Sequence, residues 1–114
     1  MLMIRIGSSH GYYLAIDISK HVTKKDEDDH QYDLICAGVS SIGIGLANAI
    51  DSICPDSCNI DINQDTDDST ENHITITVKS NDEKLQTVLT TGVIQLMTVA
   101  QSYPDYIDLK NTEV

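Results

Sequence analysis

Asp33-Leu34-Ile35-Cys36-Ala37-Gly38-Val39-Ser40, continuing through Ile42, Gly45 and Leu46 to Asn48-Ala49-Ile50 and Ile53, is the stretch that decides the fold. Ile35, Val39, Ile42, Leu46, Ile50 and Ile53 recur at three- and four-residue steps, so they share one stripe of a helix. Asp33 is a suitable N-cap, and the spacing predicts a helix over 34–53. Gly38, Gly43 and Gly45 each weaken it by up to about 1 kcal/mol relative to Ala. That glycine content implies that a strand or another subunit packs close to the helix backbone.

Upstream, Met1 to Ile6 and Tyr12 to Ile18 alternate apolar and polar residues around the turn Gly7-Ser8-Ser9-His10-Gly11. This reads as a hairpin, with Leu14, Ile16 and Ile18 on one side of its second strand. Downstream, Cys54-Pro55-Asp56-Ser57 ends the helix. Cys58, Ile60 and Ile62 mark a third strand, and Ile74, Ile76 and Val78 a fourth. Ser80-Asn81-Asp82-Glu83 has the form of a capping box and opens a second helix carrying Leu85, Val88, Leu89, Leu96, Val99 and Tyr103. Pro104 stops it, and Tyr106 to Leu109 is a short last strand. The order β-β-α-β-β-α-β predicts an α+β fold, a two-layer sandwich of two amphipathic helices on a mostly antiparallel sheet. At 114 residues this is one domain over 1–110, with 111–114 as a frayed tail.

The core must be aliphatic, because the chain has no Trp and no Phe. A formal net charge of −11 argues against direct nucleic-acid binding and favours a basic peptide or protein partner. Three cysteines do not make a disulfide framework. Neither a leader pattern nor eighteen consecutive apolar residues is present, so a soluble, cytoplasmic protein with no membrane partner is expected.

Cys36 stands in the first turn of the predicted helix. There, unpaired N–H groups and the positive end of the dipole favour the reactive thiolate. A cysteine nucleophile needs a base to take its proton and later return it to the leaving amine. His21, fifteen residues upstream, and His30 are both candidates. Asp33 is either the helix cap or a carboxylate that orients the histidine and raises its pKa. Ser40 lies four residues beyond Cys36 on the same face, as a substrate contact or as a hydroxyl bonded back to the helix. The stretch from Lys20 to Tyr32 loses apolar periodicity, with Val22 its one apolar anchor, and is expected to be a mobile loop over the site.

Cys54 and Cys58, at a helix end, read as structural thiols. Their spacing is one residue longer than the usual redox motif, and a zinc site lacks two further ligands. The run Asp61 to Asn72 lacks the glycine and glutamate of a calcium loop. No metal and no cofactor is expected.

His21 followed by Asp33-Leu34-Ile35-Cys36-Ala37-Gly38-Val39-Ser40, then Gly45 and Asn48-Ala49-Ile50, resembles the signature of the ribosomal-processing cysteine protease (Prp) family. The chain departs from that pattern at Lys20 and Val22, which replace a glycine and an alanine around the histidine. It departs again at Gln31-Tyr32, where a glycine usually precedes the acidic residue, and the loop is a few residues longer. The resemblance implies a hydrolase, a thiol endopeptidase with Cys36 as nucleophile and His21 rather than His30 as general base. Asp33 would belong to the same active-site signature. It further implies a homodimer that removes the N-terminal extension of a basic large-subunit ribosomal protein during ribosome assembly. The alternatives are a non-catalytic ribosome-associated binding or assembly protein on the same fold, and a small thiol-redox or metal protein using Cys54 and Cys58.

Overall fold

The structure, a computed structural model, describes residues 1–20, 26, 28–64 and 72–114. Its elements run β1 (Leu2–Ser9), β2 (Tyr12–Lys20), α1 (His30–Ile53), β3 (Cys58–Asn63), β4 (His73–Val78), α2 (Glu83–Ser102) and β5 (Ile107–Glu113). The predicted order and the α+β class hold. The five strands form one sheet in the order β3-β4-β2-β1-β5. Three pairings are antiparallel, and β5 lies parallel to β1.

Strand alternation sends Leu2, Ile4, Ile6, Ile16, Ile18, Ile74 and Ile76 to one face, where they are buried under the helices. From α1 come Tyr32, Ile35, Cys36, Val39, Leu46, Ala47 and Ile50; from α2 come Leu85, Leu89, Val93 and Leu96. Gly43 answers the expectation of close packing, since a Cβ there would stand 2.8 Å from Ile74 Cδ1 and 3.0 Å from Ile18 Cδ1. Gly92 of α2 does the same for Leu46, the point where the two helices touch. Gly38 and Gly45 instead face open space.

The β1–β2 hairpin turns at His10 and Gly11, both at positive φ, as a two-residue hairpin loop requires. A bulge follows: Gly7 pairs with Ala15 but Ser8 pairs with Tyr13. The extra residue shifts the alternation, so Tyr13 rather than the expected Leu14 packs against the core. Tyr13 is also bonded through its backbone to Gln86 of α2, donating to Oε1 at 2.8 Å and accepting from Nε2 at 2.9 Å.

Both helix caps differ from the sequence reading. α1 starts four residues before Leu34, because Asp29, not Asp33, is its N-cap, accepting from the N–H groups of Gln31 and Tyr32. The apolar stripe therefore extends back one turn to Tyr32. α2 is capped by Asp82, whose carboxylate accepts from Leu85 N at 2.8 Å, so Ser80 is not the cap. The predicted stripe also overreaches, since Ile53 and Tyr103 are exposed.

The expected frayed tail is a strand. β5 pairs with β1 through Glu113, and Val114 N donates to Ser8 O at 2.7 Å. Arg5 reaches across this pairing to the Asp108 carbonyl and carboxylate. Among the described residues α1 is the one helix long and apolar enough to cross a bilayer, but one side of it is the floor of the core, as in many packed domains.

Candidate active site

Cys36 sits where the ends of the inner strands meet α1. Lys20 is the last residue of β2, on the inward row of Ile16 and Ile18. Its N–H donates to the Asn72 carbonyl at 3.2 Å, tying the end of β2 to the entry of β4. These strand ends and the first turns of α1 enclose a recess of about 230 Å³ lined by Lys20, Asp33, Cys36, Ser40, Asn72 and the start of β4. Three of the sequence-derived candidates, Cys36, Asp33 and Ser40, thus meet at one place.

His21 lies outside the described residues, as do residues 22–25 and 27 of the predicted loop. The end of that loop is no loop: His30, Gln31 and Tyr32 are helical, and Tyr32 is a core residue. Two further groups from the same stretch are held. Asp26 takes the Met1 amine at 3.0 Å, and Asp29 Oδ2 accepts from the Tyr106 hydroxyl at 3.1 Å.

The longer helix changes the chemistry assigned to Cys36. Counting from His30, Cys36 is the seventh helical residue, so its N–H is spent within the helix and the dipole effect has faded. Neither thiolate activation by a helix terminus nor an oxyanion donor from the Cys36 N–H fits this position. Burial dominates and pushes the thiol up from its ordinary value. Lys20, a hydrogen bond from Tyr32 and the chain-terminal ammonium pull it down, and Asp33 opposes them.

Asp33, freed from capping, is exposed on the first turn and faces the recess. Ser40 is half-buried beside it. His73 reaches the rim of the recess, but β4 alternates and its ring belongs to the outer face with Asp61, whose Oδ2 lies 3.2 Å from Nε2. Sequence reasoning passed over Asn72. Its buried Oδ1 has no hydrogen-bond donor among the described residues, and the side chain borders the recess. No periodic pattern marks such a residue, which sits between strands.

The other two cysteines form a different local structure. Cys54 caps the C-terminus of α1, donating to Ile50 O at 2.8 Å. Ser57 Oγ donates to Cys54 O at 2.6 Å, and the Ser57 carbonyl takes the N–H groups of Lys79 and Ser80. Among the described residues no group of His, Cys, Asp or Glu is placed to hold a metal ion.

The family model described as cysteine protease Prp matches residues 1–108. The ribosomal processing cysteine protease Prp of Staphylococcus aureus is 32% identical over 84 residues, which is 74% of this chain and 76% of that protein. Two crystal structures of S. aureus Prp superpose on the whole fold. The complex with a substrate peptide has a TM-score of 0.77 at 25% identity, covering 98% of this chain and 100% of that one. The complex with a covalently linked product peptide has a TM-score of 0.76 at 26% identity over the same shares. With its thiol set in a recess under a matching fold, and with the family model spanning nearly all of its length, the chain belongs to the Prp family of cysteine proteases.

Proposed function

We propose that this protein is a cytoplasmic cysteine endopeptidase that removes the N-terminal extension of a basic large-subunit ribosomal protein, with Cys36 as nucleophile and His21 as general base. The observation that carries the reading is the placement of Cys36 on the recess, with Asp33 and Ser40 beside it. Cys36 and Asp33 hold the positions of the motif that places His21 upstream. The net charge of −11 suits a basic substrate strand.

The mechanism follows from the residues. The Cys36 proton passes to His21 as Sγ attacks the scissile carbonyl carbon. The imidazolium returns that proton to the leaving amine as the C–N bond breaks, leaving a thioester on Cys36. A water deprotonated by His21 then hydrolyses the thioester and restores the thiol. Asp33 stabilises the imidazolium. Asn72 Oδ1 supplies an acceptor for a backbone N–H of the substrate, which would satisfy a buried oxygen that has no donor among the described residues.

Assembly as a homodimer uses the cleft between α1 and α2. It has a volume of about 550 Å³ and is floored by Gly45, Ala49 and Gly92, with Ile53 at its end. Small residues there let a second helix approach closely.

The direct test is incubation of the purified protein with the extended N-terminal peptide of the ribosomal protein from the same genome. Cleavage at one bond, absent from the Cys36→Ala protein, is expected. Cleavage that survives Cys36→Ala, or an intact peptide with wild type, overturns the assignment.

A further inference from the structure

Tyr32 is 1% exposed, with its phenol ring set into an otherwise aliphatic core. A hydroxyl there needs a partner, since an unpaired buried hydroxyl is costly. Cys36 is one helical turn further on along the same face, and its sulfur is in hydrogen-bonding reach of that hydroxyl. The ring is held in place from two directions. Lys20 Nζ lies 5.8 Å from its centroid, and the tilted Tyr106 ring is centred 6.1 Å away. Tyr106 is fixed in turn by its hydrogen bond to Asp29, the cap of the same helix.

We propose that Lys20 and Tyr32 form a joint support for the Cys36 thiolate, the Tyr32 hydroxyl donating to the sulfur and the Lys20 ammonium, seated over the Tyr32 ring, supplying positive charge beside it. The pair takes the place of the helix terminus, which is too far from Cys36 to act. It rests on the reading of Cys36 as the nucleophile, and both members act through that sulfur as positioning residues. Burial holds the Tyr32 hydroxyl far above the ordinary phenol range, with Cys36 adding to the shift, so it stays a donor whenever the thiol ionises. Among the described residues the other charged or titratable groups around the sulfur are Asp33 on α1, the Met1 ammonium at the start of β1 and His73 at the rim from β4, and in the proposed mechanism the base His21 faces it as well. Asp26, bound to the Met1 ammonium, acts on Tyr32.

The test is alkylation of the full chain by iodoacetamide from about pH 6 to about pH 10, read cysteine by cysteine by peptide mass spectrometry. Tyr32→Phe keeps the ring and removes the donor. It should raise the Cys36 midpoint by about one pH unit, a roughly tenfold slower reaction at neutral pH. Lys20→Met should raise it too, and Lys20→Arg should restore it, with Cys54 and Cys58 unmoved in every variant. An unchanged Cys36 midpoint in both Tyr32→Phe and Lys20→Met overturns the proposal. If Tyr32→Phe melts too low to measure, the Lys20→Met and Lys20→Arg pair decides alone. Peptide cleavage is scored separately. Intact cleavage with unmoved midpoints removes the support pair and leaves the protease reading; shifted midpoints without wild-type cleavage do the reverse.

Discussion

The two ends of α1 each bury a cysteine to the same degree, Cys36 and Cys54 both being 6% exposed, yet the surroundings differ in kind. Near the N-terminal end, Cys36 borders a recess, and charged side chains from β2 and α1 line it with the sulfur. At the C-terminal end, Cys54 is enclosed by backbone hydrogen bonds that close the helix and start β3. Burial alone therefore says nothing about reactivity. What separates the two thiols is whether an ionised sulfur would find a donor, a cation and space for a substrate.

The largest expected effect breaks that contrast directly. Cys36→Ala should lower the cleavage rate by at least about a thousandfold, because no other group can form the thioester. It should also lose about 1 kcal/mol of stability, because it opens a small buried void and takes the sulfur away from the Tyr32 hydroxyl. Cys54→Ala should lose a similar amount of stability through its own small buried void, yet keep full cleavage. Cleavage assays and thermal melts on both variants check this, and equal losses of cleavage would erase the distinction.

Histidines sharpen it next. His21→Ala should cost about a hundredfold or more in rate, the usual range for a general base. His30→Ala should cost little, since His30 is exposed at the first position of α1. His73→Ala should cost little as well, because its ring pairs with Asp61 on the outer sheet face. Steady-state rates on the three variants rank them; His73 or His30 outranking His21 would mean that the motif was read in the wrong frame.

The alternation and helical spacing carried most of the fold, because the core is aliphatic and each element shows its buried face in the sequence. What failed was local. Asp29 and Asp33 are both reasonable caps, and the polar residues before Tyr32 hid the extra turn that Tyr32 adds to the apolar stripe. The single-residue bulge that exchanges Leu14 for Tyr13 leaves no mark in composition. For the site, the motif located Cys36 and Asp33, but the thiol's neighbours come from sequence-distant places. Lys20 and Tyr32 looked like unrelated departures from the family pattern. In three dimensions they touch. Only the inward parity of β2 joined to the longer helix brings them together.

At the C-terminal end, Ser57→Ala should lower stability by about 1–2 kcal/mol, since it removes the hydroxyl that donates to the Cys54 carbonyl at 2.6 Å in a buried turn. Cleavage by the folded fraction should be unchanged. Denaturant melts alongside single-turnover rates would show it, and a slowed rate would mean that the two ends of the helix are coupled.

The smallest effects separate two aspartates four residues apart on the N-terminal end. Asp29 binds the N–H groups of Gln31 and Tyr32 and accepts from Tyr106, so Asp29→Ala should cost about 1 kcal/mol of stability, the usual worth of a cap. Asp33 caps nothing, and it faces the recess with Cys36. Its loss should leave stability nearly intact. Asp33→Asn should instead lower cleavage severalfold by removing charge that favours the imidazolium, and should let the Cys36 thiol ionise at slightly lower pH, because Asp33 now pushes that thiol up. The two signs are opposite: a slower protease with a more readily ionised cysteine. A purely structural role for Asp33 would slow cleavage only in proportion to unfolding and would leave the alkylation midpoint of Cys36 in place, so melting and alkylation of the same Asp33→Asn sample decide between the two.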